Sequence, residues 1–343
     1  RTSEQELDLL NPRAGKTVWP SRLVETSAWQ YLNETFRNPL LVDVLSGTSL
    51  KMELRRDSLP LFTFLHGQSS FIESSWRLKG DGALITDRLV RGIGQQGGRV
   101  VCGAEVVELV EKCGRLSAVC RDGEVYEGAV FISDVHPGQT CKLVKQSERM
   151  KNAYRHRMAG LPNTFGMFTV SLRMKPRALE YFNYNRYVYA HPGVWTFYEE
   201  EEPVSGVMVA CRVPEDGSRF TSQVDLLTPM PWERCMPWSN TKVGGRGEDY
   251  EAMKRCMADE CIRLAERVVP GLRGWVAECY ASTPLTYRDY IGAPEGTAYG
   301  LRKDYRNPLA ALLSVRTPVP NLFLTGQNLM LHGVYGVTMT ALF

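Results

Sequence analysis

Residues able to do polar chemistry are thinly spread in this sequence. Its nine cysteines form no C-x-x-C pair and its five histidines show no H-E-x-x-H spacing, so no metal centre has support and none is expected. The odd cysteine count cannot be fully bridged, and reduced, mostly buried thiols are expected. One glycine pattern invites a phosphate-binding role, because Gly92, Gly94 and Gly97 spell G-x-G-x-x-G. That fingerprint must follow a strand and open a helix, whereas here it closes a helical segment and precedes a β-rich one, turning carbonyls toward any phosphate. The more informative segment is the last one. VPNLFLTGQ is a short apolar strand ending in glycine, and HGVYGVTMTALF is a glycine-spaced loop entering an apolar helix expected to begin near Val337. Free backbone N–H groups at such a helix start can hold an anionic cofactor.

The elements that must position this segment follow from periodicity. SAWQYLNETFRNPLLVDVL carries Trp29, Leu32, Phe36, Leu40 and Val44 at helical steps, with Ser27 as N-cap and a break at Pro39. ALITDRLVRGIGQQ places Leu84, Leu89, Val90 and Ile93 on one helical face, ended by Gly97-Gly98. RVVCG, AEVVELVEK, LSAVCRDG and EVYEGAVFISD then read as short strands separated by glycine turns. From about Lys151 the pattern alternates: Phe168, Val170, Leu172 and Met174 share one face of MFTVSLRM. RYVYA, VWTFY, GVMVACR, SQVDLL and WVAECYA are further strand candidates. One long helix interrupts them, with Tyr250, Met253, Met257, Cys261, Leu264 and Val268 forming a core-facing stripe. These elements predict two domains of mixed α/β (α+β) character, the second built on a mixed, largely antiparallel sheet of about six strands with helices against it.

Composition narrows the function classes. With 343 residues, 43% hydrophobic, the chain can bury a full core. A net charge of +3, without a basic stripe interleaved with aromatics, argues against nucleic acid as a partner. No apolar run is long enough to span a bilayer, and RTSEQELDLL lacks the features of a signal peptide, so a cytoplasmic protein is expected.

The order K-G-D-G-A-L (Lys79 to Leu84), a helix, G-G-R-V, A-E-V-V-E-L and D-G-E-V-Y-E-G-A-V-F-I-S-D-V-H-P resembles a stretch of the FAD-dependent phytoene desaturase, carotenoid isomerase and retinol saturase superfamily. Thr283 to Leu301 resembles that superfamily's penultimate block, and Asn321 to Thr338 its C-terminal flavin motif. The T-G-Q form at Thr325 to Gln327 is nearer the retinol-saturase-like branch. One departure is visible: relatives usually have two adjacent glycines where this chain has Gly80, Asp81 and Gly82.

The resemblance implies a partial Rossmann-like FAD-binding domain (79–150 and 286–343) and a substrate domain (151–285) to which 1–78 adds a helical part. It implies FAD contacts at Val106, through its backbone, and at Gly326, Gln327, Gly333, Val334, Tyr335 and Gly336. Tyr287, Gly296, Tyr299 and Gly300 are implied near the flavin or substrate channel, with Phe168, Val170 and Leu172 nominated for the tunnel wall. No catalytic side chain is singled out, since the flavin carries the redox chemistry and the protein aligns a carbon and excludes water. The implied substrate is a carotenoid- or retinoid-like polyene, with saturation placed ahead of desaturation. Isomerisation by reduced flavin, an amine-oxidase-like enzyme with an aromatic cage, and a degenerate flavoprotein acting as a binding partner are the alternatives. Peripheral membrane contact is expected through Trp232 and Trp238 in P-M-P-W-E-R-C-M-P-W, a segment expected to be loop. The superfamily's N-terminal βαβ unit is not among these residues, so the chain, beginning at Arg1 and stopping inside an apolar run, reads as N-terminally truncated. By itself it is expected to bind FAD weakly or not at all.

Overall fold

A computed structural model describes residues 21–50, 52–73, 75–112, 114–199 and 202–342. The helix Ala28–Thr35 starts where Ser27 accepts a hydrogen bond from the Gln30 amide at 3.2 Å. The chain breaks before Pro39 and restarts in the helix Pro39–Ser46, capped by Asn38. That restart redirects the expected apolar stripe: Leu32 is buried, but Leu40 and Val44 point to solvent. The segment docks through Asp43, which accepts from the Gly193 and Val194 amides at 2.8 and 3.2 Å, and through the Trp195 indole, which donates to Ser46 at 2.9 Å. Ala28, Leu32, Val42, Leu61, Phe64 and Trp195 form the core beneath it.

The helix Ala83–Gln95 contains Gly92 and Gly94 within its last turn, with Gly97 left-handed just beyond it. It closes before any strand, as the sequence order requires of a non-binding glycine pattern. It is amphipathic yet has no buried residue, so the stripe of Leu84, Leu89, Val90 and Ile93 lies uncovered. RVVCG forms no strand, because nothing among the described residues pairs with it. The strands β1 (Val106–Lys112), β2 (Arg115–Cys120) and β3 (Val125–Gly128) make an antiparallel meander. Next to it β4 (Phe131–Ser133) lies parallel to β10 (Leu322–Leu324), which returns from the far end of the chain. Leu109, Leu116, Val144, Met158, Val319 and Leu322 unite meander, parallel pair and the helix Asn152–Ala159 in one core.

The second sheet has the order β6-β7-β8-β5-β9, formed by β5 (Gly166–Met174), β6 (Arg186–Tyr189), β7 (Gly206–Cys211), β8 (Gln223–Met230) and β9 (Val276–Ser282). Every pairing in it is antiparallel. VWTFY is not a strand; it turns into a short 3₁₀ helix, Phe197–Glu199. The helix Glu248–Ala265 covers one sheet face with Tyr250, Met257, Cys261 and Leu264, while Val268 falls past its end. Trp232–Trp238 is a 3₁₀ helix rather than a loop. Trp232 and Trp238 pack, partly buried, against the sheet core, the Trp238 indole donating to Asp249 at 2.9 Å and Arg288 lying over Trp232.

Strand alternation decides the two faces. Phe168, Val170 and Leu172 are each 0% exposed and point into the core under the helix Glu248–Ala265, so they line no tunnel. The opposite face carries, in register across the sheet, Tyr187, Met208, Leu227, Thr169 and Ser282, followed one row on by Asp225, Ser171 and Tyr280. Phe168→Ala therefore leaves a buried cavity and costs about 3–5 kcal/mol. Denaturant melts of the variant against wild type measure it; an unchanged midpoint would return Phe168 to a ligand-lined space.

Candidate cofactor site

The site grows from the ends of two parallel strands. The Thr325 amide donates to the Ser133 carbonyl at 3.0 Å, carrying the β4–β10 pairing one residue beyond β10. Asp134 and Gly326 then meet. Gly326 is left-handed (φ 89°), and a Cβ there would overlap the Asp134 carboxylate, so both backbone and space demand glycine. Asp134 makes no hydrogen bond with the described residues, and partial burial raises its carboxyl above the usual range. Open α/β sheets bind ligands beyond such carboxyl strand ends.

The following turn is clamped from outside. The Leu301 amide donates to the Asn328 side chain at 3.1 Å, and Gly300 (φ 75°) lies so close that a Cβ would overlap the same amide. The Gln327 amide reaches the Ala298 carbonyl at 3.4 Å. Lys303, 7% exposed, donates to the Asn328 and Leu329 carbonyls at 2.7 and 3.2 Å. Burial without a carboxylate partner brings the Lys303 ammonium down to about 7. Beside this clamp His136, held below its usual range chiefly by burial, bonds Asn163 through Nε2 at 2.9 Å. Its Nδ1 accepts from the Gly138 amide at 3.1 Å, which leaves the proton on Nε2. Asn163 in turn donates to Glu295 at 3.1 Å.

Beyond the clamp the chain opens into the helix Gly333–Leu342. The turn expected to precede this helix is its first turn, starting at Gly333 rather than near Val337. Gly333 is left-handed with open space where a Cβ would stand, and Val334 and Tyr335 are exposed. Gly336 instead packs against Leu331. The first-turn amides thus meet an open surface, which suits an anionic ring.

Aromatic side chains flank this turn. Tyr299 stands edge-on to Phe165 with ring centroids 5.8 Å apart and is tilted over His332 at 4.6 Å. Burial, helped by the nearby Tyr287 and Tyr187 hydroxyls, raises the Tyr299 phenol. Tyr187 belongs to the open sheet face, so that face runs up to the turn. Val106, at the start of β1, packs on the core that contains Leu322 of β10. Gly296 (φ 60°) is a tight turn, where a Cβ would overlap the Pro284 backbone.

The structure thus gathers Gly326, Gln327, Gly333, Val334, Tyr335 and Gly336 at one strand end, with Tyr287, Tyr299 and Gly300 against them. Asp134, Asn328 and Lys303 were not singled out, because an isolated acid, amide or lysine in a loop carries no periodic signal. Among the described residues no group of three metal-ligating side chains occurs, and no helix is long and apolar enough to cross a membrane.

No protein-family model matches the chain. All-trans-retinol 13,14-reductases of Macaca fascicularis and Homo sapiens are each 34% identical to it over 131 residues. By sequence, this stretch of the chain is similar to retinol 13,14-reductases. The match spans 37% of the chain and 22% of either relative, so about a fifth of their length is represented. A Danio rerio protein named as an inactive all-trans-retinol 13,14-reductase is 30% identical over 131 residues. In fold, putrescine oxidase with bound putrescine superposes with a TM-score of 0.60 at 13% identity, covering 97% of this chain and 68% of that one. An oxidoreductase from Methanosarcina mazei gives a TM-score of 0.56 at 15% identity, covering 92% and 67%. The mixed α/β fold and the retinol-saturase-like resemblance are borne out.

Lys303 gives a testable linkage. Its folded value near 7 lies below the ordinary 10.5, so between these values the unfolded chain binds more protons and stability rises with pH, by up to about 1.4 kcal/mol per unit for this group. Below pH 7 the contribution is flat. Urea melts from pH 6 to 10 should show the stability of wild type minus that of Lys303→Met increasing across this window; a constant difference refutes the assignment.

Proposed function

We propose that this chain forms the flavin-ring and substrate portions of an FAD-dependent oxidoreductase that reduces a carbon–carbon double bond of a retinoid-like alcohol. The observation that carries this is the open Gly333 turn that follows β10, flanked by the aromatic side chains of Tyr299 and His332, in a chain whose sequence relatives are retinol 13,14-reductases.

The residues fit a flavin. Gly326 lets the backbone approach, the Gln327 amide can bond ribityl hydroxyls, and the first-turn amides of Gly333 to Gly336 favour negative charge on the ring. Bound there, the flavin supplies hydride chemistry. The protein's share is to orient and to keep the site dry: Lys303 and Asn328 fix the turn, while Met208, Leu227 and Tyr187 offer an apolar bed for a polyene. Val106 and the β4 end fall to the nucleotide half. Leu89 of the helix Ala83–Gln95 and Ile132 of β4 are 63% and 69% exposed. The FAD-binding domain in this reading is made of 79–150 and 286–343. The substrate domain is 151–285, with 1–78 as its helical part.

A second role, binding without turnover, is favoured by the similarity to a relative named as inactive. The full-length protein with its flavin reduced, mixed anaerobically with all-trans-retinol, separates these. Flavin reoxidation with a product heavier by two hydrogens is expected. An unchanged mass with altered geometry would mean isomerisation. Retinol binding without reoxidation or conversion would mean a binding partner, and, starting from oxidised flavin, reduction of the flavin by amines but not by reaction with retinol would move the activity to a different donor class.

A further inference from the structure

We propose that the Tyr299 hydroxyl is the hydrogen-bond partner of the substrate's alcohol group, and that this contact sets which double bond lies against the Gly333 turn. The inference rests on the retinoid-alcohol assignment above and deepens it. The Tyr299 ring is fixed on two sides, edge-on to Phe165 and tilted over His332, the residue before Gly333. Its hydroxyl nevertheless makes no hydrogen bond to any described residue. Phenols placed among packed rings normally find a partner, because an unsatisfied polar group forfeits its hydration. Burial keeps this phenol protonated, so it can both donate to and accept from an alcohol.

Geometry selects Tyr299 over the other polar groups on the same sheet face. Ser171 and Gln223 both donate to Asp225 Oδ1 at 2.7 Å, forming a polar patch that could also attract an alcohol. From Phe165 to Ser171 the chain advances six residues, roughly 20 Å of extended strand. The relatives' name places the reduced bond at carbons 13 and 14 of retinol, and the alcohol carbon is bonded directly to carbon 14. An oxygen two bonds from a reacting carbon must sit beside the flavin turn, which Tyr299 does and Asp225 does not. Tyr187 and Tyr287 lie nearby, but Tyr299 is the phenol whose ring packs on His332, the residue before the Gly333 turn.

The test uses the full-length protein with oxidised flavin, so that binding is read without turnover. Retinoid fluorescence gives dissociation constants for all-trans-retinol and for the hydrocarbon in which CH2OH is replaced by CH3. Wild type should prefer the alcohol about tenfold, the usual worth of one neutral hydrogen bond. Tyr299→Phe keeps both ring contacts; it should bind the hydrocarbon as wild type does and lose the preference. A variant that retains the preference overturns the assignment, as does one that weakens both ligands equally, which would mean a packing role. Failure of wild type to bind either retinoid instead removes the substrate class itself and this inference with it. With turnover, Tyr299→Phe should shift reduction away from the single bond position and so yield mixed products; a single product at the wild-type position also overturns it.

Discussion

The site depends on one close approach, the meeting of Gly326 with Asp134 at the carboxyl ends of β4 and β10. These strands are nearly two hundred residues apart in sequence, and the Thr325–Ser133 backbone bond continues their pairing into the loop. A side chain on residue 326 would push the strands apart and lift the following turn from its support. From that point everything downstream is over-determined: Asn328 is gripped through its side chain by Leu301 and through its carbonyl by Lys303, and the helix amides at Gly333 are aimed by what precedes them. Preorganisation of this kind is what lets backbone dipoles stabilise charge without reorganising when a ligand arrives.

The five-stranded sheet supplies the complementary half. Its helix-covered face is filled by buried residues, so it provides rigidity and little chemistry. The other face grades from Tyr187, Met208 and Leu227 near the aromatic cluster to Asp225 and Ser171 farther along. An apolar ligand lying on it would be held by area rather than by directed bonds, which suits a polyene and leaves orientation to the few polar atoms beside the turn. Phe168, Val170 and Leu172 fell to the core because period-two alternation separates two faces without saying which one the long helix takes.

Legibility followed periodicity. The strands β5 to β9 and the helix Glu248–Ala265 were visible because alternation and a 3.6-residue repeat are local. The glycines of the last segment were visible because turn and close approach restrict residue type. RVVCG failed as a strand because strand identity needs a partner. Leu40 and Val44 failed as core because Pro39 broke the phase of their helix. Lys303, Asn328 and Asp134 were illegible: each acts through a neighbour more than twenty residues away in sequence, except that Asp134 and Lys303 differ in sign and share one cause, burial without a counter-ion. Nothing in the composition of their own loops reports that burial.

The two halves of the molecule differ in how completely they close. Around the antiparallel sheet nearly every strand residue on the helix side is covered, whereas the helix Ala83–Gln95 covers nothing and leaves five large apolar side chains in water. An amphipathic helix of thirteen residues gains most of its stability from burying its apolar face, so this one is held weakly by the contacts described. The parallel pair is equally bare, with Ile132 exposed beside an edge of β4 that no strand among the described residues pairs. Local opening free energies should therefore be low through 80–105 and high through the sheet. In the proposed reading, cofactor affinity is coupled to that difference: the Gly333 turn is braced by the stable half, while nucleotide contacts would fall where order must be gained on binding. Covering the exposed face would raise affinity without changing a single ring contact, because the ordering cost would already be met before the ligand arrives.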